Sequence, residues 1–300
     1  MTNGFRSGYV ALAGRPNVGK STLLNSLTGQ KVSITSRKPQ TTRHRILGIR
    51  SAQGSQIIFV DTPGLHNSSG SALNKIINKT AQHSLADVDL IVQLCSASRW
   101  ADEDEWVLNK LKQFSLPLIL AINKIDRLDD KQNLLPFIQE VNDKGEFMEI
   151  VPISALKGTN IVELIKTITN KLSAGPALFP QDQVSDQTQK TLAGELIREQ
   201  LFRRLGQELP YATAVIIDDI RLDDKKLLRI EALIWVEKPG QKGIVIGQKG
   251  QTLKTIGEQA RKQMEQVFNT RVFLNLHVKV KQGWANNMTA LQHLGYSDQI

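Results

Sequence analysis

The sequence predicts an α/β domain, a mostly parallel sheet with helices on both faces, followed by a smaller α+β domain. In the first half, short apolar runs typical of buried strands alternate with helical runs. A Pro-, Ser-, Gln- and Asp-rich stretch without periodicity follows, from about residue 173 to 189. Beyond this stretch the alternation of strands and helices gives way to a different order of predicted elements. We therefore place the first domain at 1–175, a linker at 176–189 and the second domain at 190–300.

In the first domain each predicted strand runs into a turn or a helix. The strands lie in SGYVALAG, SQIIFVDTPG, LADVDLIVQLCSA, LPLILAINKID and EIVPISALKG. Helical spacing marks KSTLLNSLTG, DEDEWVLNKLKQF and NIVELIKTITNKL. Strands this apolar are typical of a parallel sheet that is covered on both faces.

The second domain is predicted to run helix, strand, strand, helix, helix, strand. The first helix is KTLAGELIREQLFRRLGQEL, and the two strands YATAVIIDDIRL and KLLRIEALIWVE follow it. The short helix KGIVIG and the long helix QTLKTIGEQARKQMEQVF flank a GQKG loop, and RVFLNLHVKVK is the last strand. The tail GWANNMTALQHLGY predicts one more short helix.

The overall charge indicates a polyanionic partner. The 300 residues include 38 Lys and Arg against 29 Asp and Glu, a formal net charge of +9 with a pI of about 9.6. This favours nucleic acid or acidic lipid without choosing between them. Cys95 is the only cysteine and lies in an apolar run, which excludes an intrachain disulfide and fits a reducing compartment. With no signal-peptide pattern and no apolar run near ~20 residues, we expect a cytoplasmic protein.

The stretch GRPNVGKS matches the phosphate-binding P-loop pattern G-x-x-x-x-G-K-[S/T]. It follows a predicted strand and precedes a helix, as the motif requires. Its glycines let backbone N–H groups surround phosphate at a helix N-terminus. Lys20 can reach the β- and γ-phosphates, and Ser21 can bind Mg²⁺. We assign to nucleotide binding Gly14, Arg15, Pro16, Asn17, Val18, Gly19, Lys20, Ser21 and Thr22.

Two further motifs predict that the base is guanine. The Asp126 carboxylate of NKID can accept hydrogen bonds from N1–H and the exocyclic amine of guanine, whereas adenine would leave this carboxylate buried and unpaired. In SAL, the Ala155 N–H is expected to meet the guanine carbonyl. The base site therefore comprises Asn123, Lys124, Ile125, Asp126, Ser154, Ala155 and Leu156.

The DTPG motif completes the predicted hydrolytic site. Asp61 is expected to hold Mg²⁺ through water and the Gly64 N–H to sense the γ-phosphate, with Thr62 and Pro63 between them. In the polar stretch SRKPQTTRHR, Thr42 is favoured as a Mg²⁺ ligand, with Thr41 as the alternative. The predicted metal ligands are thus Ser21, Thr42 and Asp61, and the predicted catalytic groups are Lys20, Thr42 and Gly64.

The residue after this glycine predicts slow hydrolysis. Ras-like switches carry a water-orienting Gln there, but this chain has Leu65, which cannot orient water. His66 lies one position further and is a weaker candidate, since a loop histidine is the commoner role. The expected enzyme is a slow GTPase switch whose partner accelerates it.

The combination of GRPNVGKS, PQTTR, DTPG, NKID and SAL resembles translation-factor-class bacterial GTPases. The stretches TSRKPQTTRHRILGI and VDTPGLH, with the second domain, resemble the Era family of ribosome-assembly GTPases over nearly the whole chain. The resemblance implies binding near the 3′ end of 16S ribosomal RNA, assistance to 30S subunit assembly, and peripheral contact with the inner membrane. Similar GTPases with Asn at the P-loop position that Asn17 occupies here can bind K⁺, so the resemblance also implies a K⁺ site at Asn17. We expect a monomer.

The GQKG loop is too short for a second P-loop and resembles the GxxG loop of a type II KH domain, which clamps a single-stranded nucleic-acid backbone. Residues 182–237 carry a net charge of −3, whereas residues 238–281 carry +7, with nine basic and two acidic residues. The excess around the loop suits phosphate contacts. The predicted RNA-binding residues are Ile246, Gly247, Gln248, Lys249, Gly250, Lys254, Arg261, Lys279 and Lys281.

Two rival interpretations remain open from the sequence. One is a signalling or trafficking GTPase whose second domain is a protein adaptor. The other is a passive RNA chaperone that holds nucleotide without using it.

Overall fold

The computed structural model describes residues 4–39, 41–63, 71–206 and 208–296. The chain divides into two compact units. The first comprises Met1–Ser33, Thr42–Asn67 and Ile77–Asp186. The second comprises Ile34–Thr41, Ser68–Ile76 and Gln187–Ile300. A short segment of the N-terminal half, Ile34–Thr41, therefore groups with the C-terminal half, which no local pattern predicted.

The first unit is built on a six-stranded sheet in the order β2-β3-β1-β4-β5-β6. Only β2 is antiparallel, paired with β3, and the other pairs are parallel. The strands are β1 (Arg6–Ala13), β2 (Ile46–Ala52), β3 (Ser55–Asp61), β4 (Leu90–Ser96), β5 (Leu118–Asn123) and β6 (Glu149–Pro152). The predicted α/β architecture is confirmed.

Helices cover both faces of this sheet. They are α1 (Lys20–Thr28), α2 (Ala72–Ala86), α3 (Asp102–Leu111), α4 (Leu134–Asn142) and α5 (Ile161–Lys171). The strand period of two divides β1 between two cores, since successive side chains point to opposite faces. Val10 and Leu12 pack with α1 and α5, whereas Ala11 and Ala13 pack in the cluster that contains residues of α2 and α3. Parallel strands that end at one edge bring the loops after them together, which positions the site described below.

The predicted linker is bonded to the first unit along most of its length. The Ile49 amide donates to the Val184 carbonyl over 2.9 Å, and Gly48 forms an isolated bridge with Ser185. Gln56 accepts from the Phe179 amide over 2.9 Å. This stretch runs beside β2, the edge strand, and covers backbone groups that an exposed edge would leave unpaired. The stretch lacks periodicity because its backbone is irregular, but it is still hydrogen-bonded to the first unit.

The second unit has the predicted order of elements around a three-stranded sheet, β7-β8-β9. β7 is antiparallel to β8, and β8 is parallel to β9. Its elements are α6 (Gln189–Arg204), β7 (Thr213–Leu222), β8 (Leu227–Val236), α7 (Pro239–Ile246), α8 (Gln251–Phe268), β9 (Arg271–Val280) and α9 (Met288–His293). Even-numbered residues of β8 and β9 pack against the helices in one core, which also contains Ile34. Among the described helices, none combines the length and apolar character needed to cross a bilayer.

Candidate functional site

The P-loop joins β1 to α1 and needs glycine at two positions. Gly14 has a φ of 148°, and a Cβ there would stand 2.7 Å from the Leu94 carbonyl oxygen. Gly19 has a φ of 108°, and its Cβ would stand 2.4 Å from the Asn123 side-chain nitrogen. Both contacts are closer than real side chains allow, so the loop backbone approaches its neighbours in a way only glycine permits.

Lys20 is the first residue of α1 and is buried beneath the P-loop. Its ammonium donates to the carbonyls of Gly14 and Arg15 over 2.8 and 3.1 Å. Burial lowers the pKa of Lys20 to about 8, against the attraction of the Asp61 carboxylate, which raises it. The ammonium form is therefore still the major one at pH 7 and can serve phosphate.

The three predicted metal ligands converge. Ser21 Oγ donates to Asp61 Oδ2 over 2.8 Å and lies 3.0 Å from Thr42 Oγ1. Asp61 is fully buried, and burial raises its pKa while Lys20 and nearby hydroxyls lower it. Its second oxygen, Oδ1, has no hydrogen-bond partner within the described chain. An unsatisfied buried carboxylate oxygen beside two hydroxyls fits Mg²⁺, which prefers oxygen ligands and retains water.

The alternative Thr41 has other partners. Its hydroxyl donates to the Lys38 carbonyl over 2.9 Å and to Ser36 Oγ over 3.1 Å. The geometry therefore supports Thr42 as the ligand. Thr62 is buried, its hydroxyl donating to the Leu12 carbonyl over 3.3 Å, and Pro63 is also buried. Gly64, Leu65 and His66 lie outside the described residues.

Asn123 ties the predicted base site to the P-loop. Its Nδ2 donates to the Val18 carbonyl over 2.8 Å, and its Oδ1 accepts from the amides of Lys124 and Ala155. Lys124 has a φ of 69° and donates to the Asn17 carbonyl over 2.6 Å. These contacts join the loops after β1, β5 and β6 into one surface.

Two details of the base site differ from expectation. The Ala155 amide, predicted to meet the guanine carbonyl, donates to Asn123 Oδ1 over 3.0 Å. The Asp126 carboxylate, expected to be buried, is exposed and accepts from Ser154 Oγ over 2.5 Å. The predicted argument from an already desolvated carboxylate therefore does not hold, and an exposed Asp126 carboxylate leaves direct pairing with the base as the basis of the predicted selectivity. Leu156 is 68% exposed, an apolar side chain available beside the base, whereas Ile125 packs against the first unit's core.

The predicted RNA-binding loop connects α7 and α8. Ile246 ends α7, and Gln248 and Lys249 are exposed between the two glycines. Lys249 has a φ of 50°, which places its backbone in the left-handed region. Gly247 has φ 74° and ψ 176°, a conformation essentially restricted to glycine. The loop thus offers close backbone approach with a cationic side chain at its tip.

The remaining predicted RNA contacts do not share one face. Lys254 and Arg261 lie on α8 and pair with Glu258 and Glu265. β9 alternates, so its even residues face the helices, whereas Lys279 belongs to the opposite face of the sheet. Lys281 lies over the Trp235 ring, 4.1 Å from its centroid, and Trp235 is in register with Lys279. Lys279 and Lys281 therefore lie apart from the two predicted residues on α8.

Residues 34–41, which lead directly to the predicted Mg²⁺ ligand Thr42, are held by α6 within the second unit. Ile34 is 1% exposed in that unit's core. Glu199 is fully buried and accepts from the Thr35 amide over 3.1 Å and its hydroxyl over 3.3 Å. Arg198 donates to the Thr41 carbonyl. We call these contacts of Arg198 and Glu199 with residues 34–41 the switch clasp.

Further contacts extend the switch clasp along the segment. Lys38 Nζ donates to the carbonyls of Leu205 and Gly206, and Tyr211 Oη donates to the Pro39 carbonyl over 3.0 Å. The described residues of this segment, 34–39 and 41, belong to no helix or strand, and α6 and the chain after it hold them through these contacts. Thr42, the next residue, belongs to the first unit and contacts Ser21.

Sequence reasoning missed several of these residues. Asn25 Oδ1 accepts from the amides of Val32 and Ser33, and Ser33 Oγ donates to Asp61 over 3.2 Å. Arg198 and Glu199 stand within a charged helix pattern that predicts solvent exposure. No local sequence signal could have revealed the roles of Arg198 and Glu199, because each bonds to backbone more than 150 residues away in the chain.

Two family matches cover most of the chain. Residues 9–124 match the family described as 50S ribosome-binding GTPase, and residues 208–285 match the KH domain. The GTPase Era of Histophilus somni (strain 129Pt) is 51% identical over 292 residues, 97% of each chain. The GTPase Era of Azotobacter vinelandii is 50% identical over 296 residues, 99% of this chain and 98% of its own.

Two solved structures match nearly the whole chain with a TM-score of 0.93 and 41% identity. One is a variant of Aquifex aeolicus Era bound to GDP and AlF₄⁻, matching 98% of this chain and 100% of its own. The other is Era in complex with MgGDPNP and nucleotides 1506–1542 of 16S ribosomal RNA, matching 98% of this chain and 99% of its own.

Proposed function

The chain belongs to the GTPase Era family, and from that premise we propose that it binds the 3′ region of 16S ribosomal RNA under the control of GTP. The chain is a GTPase with a KH domain. The observation that carries the RNA proposal is the GQKG loop in the most basic part of the second domain. A structure matching 98% of the chain holds nucleotides 1506–1542 of 16S ribosomal RNA, which supports the assignment.

We also propose the process that the protein assists, its location in the cell and its oligomeric state. The protein assists 30S subunit assembly as a cytoplasmic monomer, with peripheral electrostatic contact at the inner membrane. Its formal charge of +9 supports attraction to both ribosomal RNA and anionic lipid.

In the hydrolytic site, Lys20 and the P-loop amides bind the phosphates and Asp126 selects guanine. Ser21, Thr42 and Asp61 would hold Mg²⁺, which neutralises charge on the phosphate oxygens. The matching structures carry MgGDPNP or GDP with AlF₄⁻, which fits this assignment. Asn17, with a φ of 63°, is the proposed K⁺ residue. Charge from K⁺ beside the phosphates would compensate for the absence of Gln after the DTPG motif.

The switch clasp supplies the coupling between nucleotide and RNA in this proposal. Thr41 is bonded to Arg198 of α6, and Thr42 is placed to bind Mg²⁺. One peptide bond joins Thr42 to the segment that α6 holds. A movement of Thr42 with the nucleotide state would therefore also move that segment. GTP and GDP would thereby give the RNA-binding domain different affinities for RNA.

The RNA proposal is tested by reversing one charge at the loop tip. Lys249→Asp should weaken binding of a 16S fragment spanning nucleotides 1506–1542 by at least about tenfold, because it removes a phosphate contact and adds repulsion. GTP affinity should be unchanged. Fluorescence anisotropy of labelled RNA, in buffer of fixed salt concentration, measures the first and nucleotide titration the second.

Lys226→Asp is the matched control. Lys226 is also exposed, also has a positive φ (56°), and lies in the β7–β8 turn of the same unit. RNA affinity should survive that change. Equal loss of RNA affinity in both variants would mean that the effect comes from net charge alone. No loss in either variant would favour a second domain that acts as a protein adaptor.

The coupling proposal has its own test. Glu199→Gln removes the charge that holds Thr35 and should shrink the difference in RNA affinity between the GTP- and GDP-loaded protein. Glu208→Gln, an exposed acid of the same unit, is the control. An unchanged GTP-to-GDP ratio in Glu199→Gln would contradict the role of the switch clasp while leaving RNA binding itself intact.

A further inference from the structure

One acidic side chain of the hydrolytic unit is buried, although its neighbours in the chain are not. α3 begins with the acids Asp102–Glu105, which suit a helix N-terminus. Asp104 is 0% exposed, whereas Asp102 and Glu103 are exposed. Removing a carboxylate from water is costly unless it is paired. Its partners therefore indicate what the burial achieves.

The charged partner of Asp104 is an arginine of the P-loop. Arg15 Nε donates to Asp104 Oδ2 over 2.9 Å, and the Ala101 amide donates to the same oxygen over 3.1 Å. Gln93 of β4 donates to the Asp104 backbone carbonyl over 3.1 Å. Oδ1 of Asp104 has no partner within the described residues. A buried ion pair with one unsatisfied oxygen contributes little net stability, because desolvation offsets the attraction.

Arg15 is also bonded to the catalytic lysine, through its backbone. The Lys20 ammonium donates to the carbonyls of Gly14 and Arg15 over 2.8 and 3.1 Å. An ammonium has three N–H donors, so two are used by the loop itself and one remains for a phosphate oxygen. The direction of the remaining donor depends on where the two carbonyls stand.

We propose that Asp104 is a positioning residue for GTP hydrolysis, holding the Arg15 side chain and thereby the backbone that orients Lys20. The contacts run from α3 through the Asp104 carboxylate and the Arg15 guanidinium to the Arg15 carbonyl and the Lys20 ammonium. The Arg15 side chain thus affects nucleotide binding indirectly, through the Lys20 ammonium. This inference concerns the hydrolytic site alone and does not depend on the RNA partner.

The test replaces the charge and keeps the shape. Asp104→Asn retains an oxygen that can accept from the Ala101 amide, so the first turn of α3 is preserved, but it loses the ion pair with Arg15. We expect GDP and GTP to dissociate about tenfold faster, as for loss of one charge-assisted hydrogen bond in a buried site. Single-turnover hydrolysis should slow as well, because Lys20 also serves the transition state.

Four further variants identify the cause. Glu103→Gln, an exposed acid in the same helical turn, should behave like the wild type. Arg15→Gln should reproduce Asp104→Asn, and the double variant should be no worse than either single one, because both remove the same contact. Arg15→Lys, which keeps a cationic donor, should restore part of the loss.

Dissociation is measured by displacing fluorescent GDP and GTP analogues from the full chain, at a temperature where circular dichroism shows every variant folded. A merely structural pair would lower the melting temperature but leave the dissociation and single-turnover rates of the folded protein within about twofold of wild type. That result would overturn the proposal. Should Asp104→Asn not fold, Arg15→Gln decides, since the Arg15 side chain is 21% exposed.

Discussion

The two glycines of the GQKG loop should differ sharply when each is replaced by alanine. Gly247 has φ 74° and ψ 176°, and a Cβ there would lie 2.1 Å from Thr252 Oγ1 and 3.0 Å from the Thr252 amide nitrogen. This backbone region costs an L residue about 1–3 kcal/mol. The lower entropy of the unfolded chain returns about 0.4–1 kcal/mol. With the Thr252 contact added, we expect Gly247→Ala to lower the free energy of unfolding by about 2–3 kcal/mol.

Gly250 provides the internal comparison. Its φ of 77° and ψ of 6° lie in the left-handed helical region, and a Cβ would meet nothing within 4 Å. There the backbone cost is about 1–2 kcal/mol, so the net loss after the same entropy correction is about 0.5–1 kcal/mol. Both variants carry the same Gly→Ala change, so a difference between their stabilities reports the position of the glycine in the loop.

Guanidinium chloride unfolding, followed by tryptophan fluorescence, measures the difference. Trp235 and Trp284 are buried in the second unit, so with Trp100 and Trp106 of the first unit replaced by phenylalanine the emission reports the transition of the second unit. Affinity for the 16S fragment should fall further in Gly247→Ala, because the loop backbone must shift. Equal losses of stability, or a larger loss in Gly250→Ala, would refute the conformational argument.

Three other predictions follow from the hydrolytic unit. Asp126→Asn should move the base preference from guanine to xanthine, with about a hundredfold or greater loss of GTP affinity in competition binding, and retained guanine selectivity would disprove the assignment of the base site. Replacing K⁺ by Na⁺ should slow single-turnover GTP hydrolysis if Asn17 holds K⁺, and equal rates would dismiss that role. Cys95 is 0% exposed, and burial raises the pKa of its thiol. Because the thiolate is the reactive form, iodoacetamide should label native protein negligibly from pH 7 to about 9 and label it rapidly after unfolding, as mass spectrometry can show.

Much of the hydrolytic site could be predicted because its motifs are local and follow strands. A parallel sheet brings the ends of its strands to one edge, so Ser21 after β1 and Asp61 at the end of β3 meet without further information. The spacing of GRPNVGKS carries its own geometry, and Gly14 and Gly19 occupy conformations that explain their residue type. The order of elements in the KH domain was likewise visible in its periodicity.

What the sequence alone determined, then, is the chemistry of contiguous segments: a P-loop, a guanine motif and a GxxG loop in a basic region. Only the tertiary structure decided that Asp104 is buried against Arg15, that Glu199 holds Thr35, and that Lys279 lies on the face of β9 away from the helices. A charged residue carries no local mark of its partner, because the energy of burying it depends on a group that another part of the chain brings near. Contacts of this kind follow from packing, and packing is a property of the whole fold.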